Sequence, residues 1–411
     1  MLTNEEKRVA VYQMDAEPTR PETVTPETPL EKLNLNWRER DLPERIRTKH
    51  VHRLHPYLGK FIPQLVEVFL RKFFRAGQTV MDPFCGSGTT LVQANEMGVH
   101  AVGYDVSAFN VLLCRAKTAR YDLDKMQKEV MDVLEKVHRR MASRDAGQLS
   151  LLMETQDVVY DAEGMSSSEY LRKWYAPQAL HELLTYRDIV ERGDYEYKDL
   201  LRIILSRSAR SARLTTHYDL DFPKQPITEP YWCHKHGRIC EPTTEAFKFL
   251  KRYSIDTIHR VKQYALVRTD AEVTVYHADS RKADFPPVDG VITSPPYVGL
   301  IDYHEQHAYA YHLLGLHDLR DCEIGAASNG ASEKAKQQYM VDIATVFRRI
   351  AAVMPSGAPM VVVANDKHNL YGRIAEMVGV RVEAVLHRHV NRRTGRRSSE
   401  FFESVFIWRT P

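Results

Sequence analysis

The chain has 411 residues, 43% hydrophobic and 27% charged, enough apolar material for a large core and more than one domain. No apolar run approaches the roughly 20 residues that cross a bilayer, and residues 1–10 lack the apolar centre of a signal peptide, so a cytoplasmic protein without a membrane partner is expected. With 57 Lys and Arg against 54 Asp and Glu, a net charge of +3 is too small to establish nucleic-acid binding by itself, and five scattered cysteines argue against a disulfide framework.

Residues 1–37 read as a flexible tail, because 16–29 is rich in Pro, Thr and Glu. A basic cluster follows: Arg45, Arg47, Lys49, His50, His52, Arg53 and His55. The run His55-Pro56-Tyr57-Leu58-Gly59-Lys60-Phe61 leads into residues 64–74, where Leu65, Val66, Phe69, Leu70 and Phe73 recur at helical spacing. Residues 79–82 read as a buried strand ending in Asp82. Pro83-Phe84-Cys85-Gly86-Ser87-Gly88-Thr89-Thr90 then opens a helix over 90–97, with Gly98 as its stop. Residues 100–105 read as a second strand, again ending in an acid, Asp105.

Residues 121–270 are mainly helical in pattern, over 123–140, 171–191 and 243–264, with a Pro-rich break at 221–230. Strand signals return at 272–277, 289–293, 359–364, 380–386 and 403–409, with helices at 334–353 and 370–377. Strands alternating with helices imply an α/β fold with a mostly parallel sheet covered on both faces. The chain divides accordingly into a tail (1–37), a cofactor-binding half (38–120), a mainly helical insertion (121–270) and a catalytic half (271–411).

In an open α/β sheet, ligands bind beyond the C-terminal ends of the strands, where strand order reverses. Gly86 and Gly88 let backbone pass close to a ligand where a Cβ would collide. Thr89 or Thr90 can cap the following helix, whose N-terminus favours a carboxylate. Asp105 can accept hydrogen bonds from ribose hydroxyls, and Asp279, at the end of the third strand, can reach an adenine amine. The loop lacks the third glycine of a nicotinamide fingerprint and the Gly-Lys-Ser/Thr end of a phosphate loop.

The strand at 289–293 runs into Ser294-Pro295-Pro296-Tyr297. Two prolines stiffen the turn and lack N–H groups. The Ser294 hydroxyl and the Pro295 carbonyl can each accept one hydrogen of an exocyclic amine, while Tyr297 stacks on the ring that bears it.

These runs resemble the amino-methylating DNA methyltransferases, and more narrowly the N4-cytosine type. Residues 82–90 resemble their cofactor motif. Residues 55–61, with Tyr57, Lys60 and Phe61, resemble the segment that closes over the methionine end of the cofactor. Ser294-Pro295-Pro296-Tyr297 resembles the catalytic tetrapeptide, with serine first as is usual for cytosine; adenine enzymes more often begin with aspartate or asparagine. The resemblance covers roughly residues 38–115 and 272–409. It implies a class I, Rossmann-like fold with a seven-stranded sheet, S-adenosylmethionine as cofactor and double-stranded DNA as partner, with a cognate restriction endonuclease as functional partner. It implies cofactor contacts from Asp82, Pro83, Phe84, Cys85, Gly86, Ser87, Gly88, Thr89, Thr90, Asp105, Asp279 and Ser280. The insertion, which falls between the second and third strands, would then read the DNA sequence.

Phosphate contacts are expected from Arg207, Arg210 and Arg213, which recur at helical spacing, and from Arg392, Arg393, Arg396 and Arg397. Methylation at cytosine C5 needs a cysteine nucleophile; none follows a proline in a suitable loop, and Cys85 is small packing. The run from Cys233 through His234 and His236 to Cys240 offers metal-ligand types. Its spacing is not that of paired Cys-x-x-Cys hooks, so no metal is expected and a His-rich loop near DNA is the plainer reading. Methylation of adenine N6, methylation of an RNA amine and DNA binding without catalysis stand as alternatives to N4-cytosine methylation.

Overall fold

The computed structural model describes residues 16–59, 61–145, 168–217, 219–220, 223–299, 301–390 and 401–411. Its centre is a seven-stranded sheet made from β1 (Thr79–Asp82), β2 (His100–Asp105), β5 (Val273–His277), β6 (Gly290–Thr293), β7 (Pro359–Ala364), β8 (Arg381–Val390) and β9 (Phe401–Arg409). The order across the sheet is β5-β2-β1-β6-β7-β9-β8. The β5–β2, β2–β1, β1–β6 and β6–β7 pairs are parallel. Among the described strands of this sheet, β9 alone runs against its neighbours, inserted between β7 and β8. The other two strands, β3 (Tyr231–Cys233) and β4 (Arg238–Cys240), form a separate hairpin.

The central strands β6 and β7 are continuous apolar runs, buried throughout because both sheet faces are covered there, whereas the edge strands β5 and β8 are partly exposed. Successive side chains alternate between two cores. Val80, Ile292, Val361, Val363, Val405 and Ile407 point to the first, with Leu65, Val66, Phe69 and Leu70 of α1 (Pro63–Phe73) and Leu91 of α2 (Thr89–Glu96). Met81, Val291, Met360, Val362, Phe406 and Trp408 point to the second, against residues of the helices Glu333–Ala351 and Tyr371–Val378.

Between β2 and β5 the chain first makes α3 (Ala108–Thr118) and α4 (Leu123–Asp145). It continues through α5 (Glu169–Trp174), α6 (Pro177–Arg192), α7 (Lys198–Ala212), the β3–β4 hairpin and α8 (Phe247–Ala265). The periodicity over 171–191 is one helix in sequence but two in the structure, because Pro177 ends one and begins the next. These helices share a third apolar core with Phe109, Leu112 and Leu113 of α3, and with Tyr309, Ala310 and Leu313 after the diproline turn.

Residues 16–37 are packed, contrary to the flexible tail that composition suggests. Val24, Leu33 and Leu35 are buried in the same core as α1. Thr19 accepts at its hydroxyl from the Asn34 amide over 2.8 Å and at its carbonyl from the Trp37 indole over 2.9 Å. A Pro-rich segment needs only a few apolar anchors and side-chain hydrogen bonds to be held, and a compositional average misses them. Among the described residues no helix is long and apolar enough to cross a membrane.

Candidate active site

β1 and β6 lie side by side, with Val80 opposite Gly290 and Met81 opposite Val291, so the turns that follow them leave the same sheet edge together. Two hydrogen bonds join the strand ends: the Thr293 hydroxyl donates to Asp82 Oδ1 over 2.6 Å, and the Thr90 hydroxyl donates to the Ile292 carbonyl over 3.2 Å. Thr90 is thereby used across the sheet and not as a cap. The N-cap of α2 is Gly88, which has no side chain to offer.

The glycine turn is in the left-handed region, with φ of +48° at Gly86 and +74° at Gly88. A Cβ at Gly88 would come within 2.8 Å of Cys114 Sγ, and one at Gly86 within 3.1 Å of the Tyr57 hydroxyl. From beneath, Cys114 Sγ donates to the Gly86 carbonyl over 3.3 Å and the buried Lys117 ammonium donates to the Ser87 carbonyl over 2.6 Å. Above it, Asp105 Oδ2 accepts from the Gly86 amide over 2.8 Å, while Oδ1 accepts from the Ser107 amide and the Asn110 side chain. Burial raises the Asp105 carboxyl above the usual carboxylate range, against the pull of these bonds. Burial likewise pushes Asp82 up to about 6, with the Thr293 bond acting the other way. Asp82 Oδ2 is buried with no hydrogen bond among the described residues.

A solvent-open cleft of about 750 Å³ runs over this loop. Pro83, Phe84, Cys85, Gly86, Ser87, Thr89, Asp105, Asp279 and Ser280 line it, together with Tyr57 and Phe61. Ser294 and Pro296 line the same cleft. Asp82, Gly88, Thr90 and Pro295 are buried supports behind the lining or beside it. Lys60 lies outside the described residues.

Asp279 sits two residues beyond the end of β5, and both its oxygens hold the Arg281 guanidinium at 2.8–3.2 Å. Burial would raise its carboxyl, but the Arg281 bonds outweigh that and hold it below the usual range. The Ser280 hydroxyl donates to the Pro83 carbonyl over 2.6 Å and so fastens this segment to the glycine turn.

The diproline turn is held from the far side by the Tyr339 hydroxyl, which donates to the Pro296 carbonyl over 2.9 Å. Tyr297 lines a second, solvent-open hollow of about 410 Å³, shared with Asn365, Asp366, Lys367 and His368 after β7, while its hydroxyl also lies beside Ser294. Its hydroxyl donates to Glu403 over 3.2 Å, and Glu403 is ion-paired with the buried Arg388 at 3.1 Å. Burial and the Glu403 carboxylate push the phenol well above its ordinary range, so Tyr297 is a protonated donor at neutral pH. The turn thus lies between the two spaces, Ser294 lining one and Tyr297 the other, with the two side chains in contact.

Sequence reasoning missed three lining residues, Ser107, Asn110 and Glu323; Tyr303, from the aromatic-rich segment that follows the tetrapeptide, also lines the cleft. Ser107 and Asn110 had a legible signal, a serine N-cap three positions before its partner amide, directly after an acid-ending strand. Tyr303 stacks on Tyr57 with ring centroids 5.9 Å apart. Glu323 accepts from the backbone amide and the ring of His304. Glu323 had no local signal, since it reaches the cleft through tertiary packing. The aromatic-rich segment after the diproline turn, which the sequence offers either as a base-pocket wall or as a packed helix, is largely packed: His304, His307 and Tyr309 are buried, while Tyr303 lines the cleft.

Several described members of the basic clusters are engaged within the chain. Arg207 pairs with Asp256 at 2.6 Å and lies over the Tyr253 ring. Arg213 is buried, donates to the Leu220 carbonyl and lies over the Tyr309 ring. Neither presents a free guanidinium to a phosphate; helical spacing alone does not say which helix face meets solvent. Arg210 is half-buried. Arg47 pairs with Glu39, and Lys49 with Glu96. Arg392, Arg393, Arg396 and Arg397 lie outside the described residues.

The sequence pattern of the DNA methylase family matches residues 7–114. The type II methyltransferase M.MjaII of Methanocaldococcus jannaschii is 36% identical over 430 aligned residues, which span 89% of this chain and 81% of that protein. The chain belongs to the DNA methylase family. This methylase is also 22% identical to the type II methyltransferase M.BsoBI of Geobacillus stearothermophilus, over 72% of this chain and 59% of that protein. Among solved structures, TrmN of Thermus thermophilus is remotely similar, with 12% identity, a TM-score of 0.34, and 86% of this chain and 50% of that one covered. The methyl donor of the DNA methylase is S-adenosylmethionine. The cleft fits such a group: the glycine turn leaves backbone exposed where a Cβ at Gly86 would crowd Tyr57, and Asp105, Asp279 and aromatic side chains line it together.

Proposed function

We propose that this DNA methylase methylates the exocyclic N4 amine of a cytosine at a specific site in double-stranded DNA, protecting that DNA within a restriction–modification system. One observation supports this most: the glycine turn after β1 and the Ser-Pro-Pro-Tyr turn after β6 open into a single cleft. The cofactor supplies an electrophilic methyl group carried on a sulfonium. Asp105, with Ser107 and Asn110 behind it, would hold its ribose. Phe84, Asp279 and Ser280 would flank its adenine, and Tyr57 and Phe61 its methionine end.

Ser294 and the Pro295 carbonyl would each accept one amine hydrogen, which orients the nitrogen lone pair toward the cleft. Positioning of this kind can supply most of the acceleration of a direct displacement. Tyr297 lines the neighbouring cavity, where the ring bearing that amine can lie against it. A base inside a duplex cannot reach the turn, so the target nucleotide is flipped out, at a cost of a few kcal/mol offset by stacking and hydrogen bonds. Serine at position 294 favours cytosine over adenine, and the relatives named type II methyltransferases favour the restriction–modification setting. The insertion at 121–270 would read the sequence, and Arg392, Arg393, Arg396 and Arg397 would contact phosphates.

Purified protein incubated with unmethylated genomic DNA and S-adenosylmethionine should yield N4-methylcytosine on nucleoside mass spectrometry. N6-methyladenine in its place would overturn the choice of base. Methyl transfer to tRNA with none to DNA would overturn the DNA substrate.

A further inference from the structure

The insertion carries a second constellation, none of whose members lines either cavity. In the β3–β4 hairpin, Tyr231 stands opposite Cys240 and Cys233 opposite Arg238. Cys233 and Cys240 share the inner face and are buried, 2% and 8% exposed, whereas Trp232 and Ile239 on the other face are 58% and 65% exposed. The turn between the strands brings His236 back over the thiols, its amide bonded to the Cys233 carbonyl over 3.1 Å. A fourth member, His217, arrives from the preceding loop, its backbone amide donating to the Tyr231 hydroxyl over 3.1 Å.

The distances have the form of a coordination shell. Cys233 Sγ lies 3.6 Å from Nδ1 of His217 and 3.6 Å from Nδ1 of His236; His236 Nδ1 lies 3.4 Å from Cys240 Sγ. All four ligand atoms fall within 4.8 Å of one another. A tetrahedral zinc with bonds of about 2.3 Å to sulfur and about 2.0 Å to nitrogen separates S and N by about 3.5 Å. A two-stranded hairpin is marginal in water without further support, and this one exposes its large apolar side chains rather than burying them.

We propose that His217, Cys233, His236 and Cys240 form a structural Zn²⁺ site that fastens the loop before the hairpin to the hairpin itself. Two thiolates and two imidazoles suit zinc among the common divalent ions. Two cysteines lose their protons on binding, so the centre is electrically neutral. With four protein ligands it has no open position, which makes it structural rather than catalytic. The sequence run 233–240 contained three of the ligands, but the fourth is separated by the Pro-rich loop, so linear spacing gave no recognisable motif.

The test is metal content and Co²⁺ spectroscopy on the full chain. Protein prepared without chelator should carry one equivalent of zinc. Exchange for Co²⁺ alone should give thiolate charge-transfer and tetrahedral d–d bands. Cys233→Ser and His217→Asn should each lose most of the bound metal and these bands, and Cys322→Ser, outside the cluster, should keep them. Should the ligand variants fail to fold, mercurial titration of the wild-type thiols should release zinc in step with modification of the cysteines. Zinc-supplemented protein with no bound metal, or a Cys233–Cys240 disulfide found by peptide mapping of freshly purified protein, would overturn the proposal.

Discussion

Thr293 donates its hydroxyl to Asp82 Oδ1 over 2.6 Å, and both residues are buried at the ends of adjacent strands. The bond couples the turn proposed to hold the cofactor to the turn proposed to hold the base. Thr293→Val keeps the shape and removes the donor, leaving a buried carboxylate oxygen without this partner. The expected loss of stability is about 1–3 kcal/mol, read by denaturant unfolding, with weaker S-adenosylmethionine binding by calorimetry. Unchanged stability together with unchanged affinity would mean that the strand ends are held by the backbone alone.

Asp82 also sets a pH dependence. Its folded value of about 6 lies above the ordinary 3.8 because burial disfavours the charge. A raised carboxyl contributes stability that is fully present below 3.8 and is lost as pH rises through about 6. Asp82→Asn carries no such charge, so its stability relative to wild type should improve across that window by roughly 1–3 kcal/mol. His307, buried and lowered to about 3, acts in the opposite direction, because stability falls as pH drops below 6.5 and the unfolded chain alone takes up the proton. The difference between variant and wild type cancels the histidine contribution, so paired unfolding curves at several pH values isolate Asp82. A difference that stays flat with pH would show that Asp82 is ionised without penalty.

Asp105 does two things at once. It accepts the Gly86 amide, which fixes the glycine turn, and it faces the cleft where a ribose would lie. Asp105→Ala should weaken S-adenosylmethionine binding by about tenfold or more, on the scale of one charge-assisted hydrogen bond. Calorimetry at neutral pH reads this directly. Affinity equal to wild type would remove Asp105 from the cofactor site.

The parallel sheet was legible because its strands are short apolar runs separated by helices, and Asp82 and Asp105 mark their ends. The two turns were legible because glycine and proline constrain backbone locally. Contacts made only by folding were not. Nothing near Glu403 in sequence signals that it receives the Tyr297 hydroxyl, and nothing near Lys117 signals that its ammonium supports the Ser87 carbonyl. The arginines of α7 mislead for the same reason: Asp256, which neutralises Arg207, comes from another helix, α8.

Ser294 lines the cleft but makes no part of the glycine turn. Ser294→Ala should therefore leave S-adenosylmethionine affinity within about twofold and lower turnover by about 10²-fold, the scale of a misplaced reacting group. Single-turnover methylation with tritiated cofactor separates the two quantities. Equal losses in both would mean that Ser294 supports the fold of the cleft rather than holding the amine.

Tyr297 combines a ring that faces the second cavity with a hydroxyl bonded to Glu403. The two functions separate by substitution. Tyr297→Phe removes only the hydroxyl, and Glu403 keeps its ion pair with Arg388 at 3.1 Å, so turnover should fall modestly, by about two- to fivefold. Tyr297→Leu removes the aromatic face; base–aromatic stacking is worth about 1–3 kcal/mol, so binding of DNA with the target base mispaired should weaken by about 5- to 150-fold. S-adenosylmethionine affinity should hold in both variants, since Tyr297 does not line the cofactor cleft. A Leu variant that binds and methylates as well as the Phe variant would show that the target ring does not lie against this side chain.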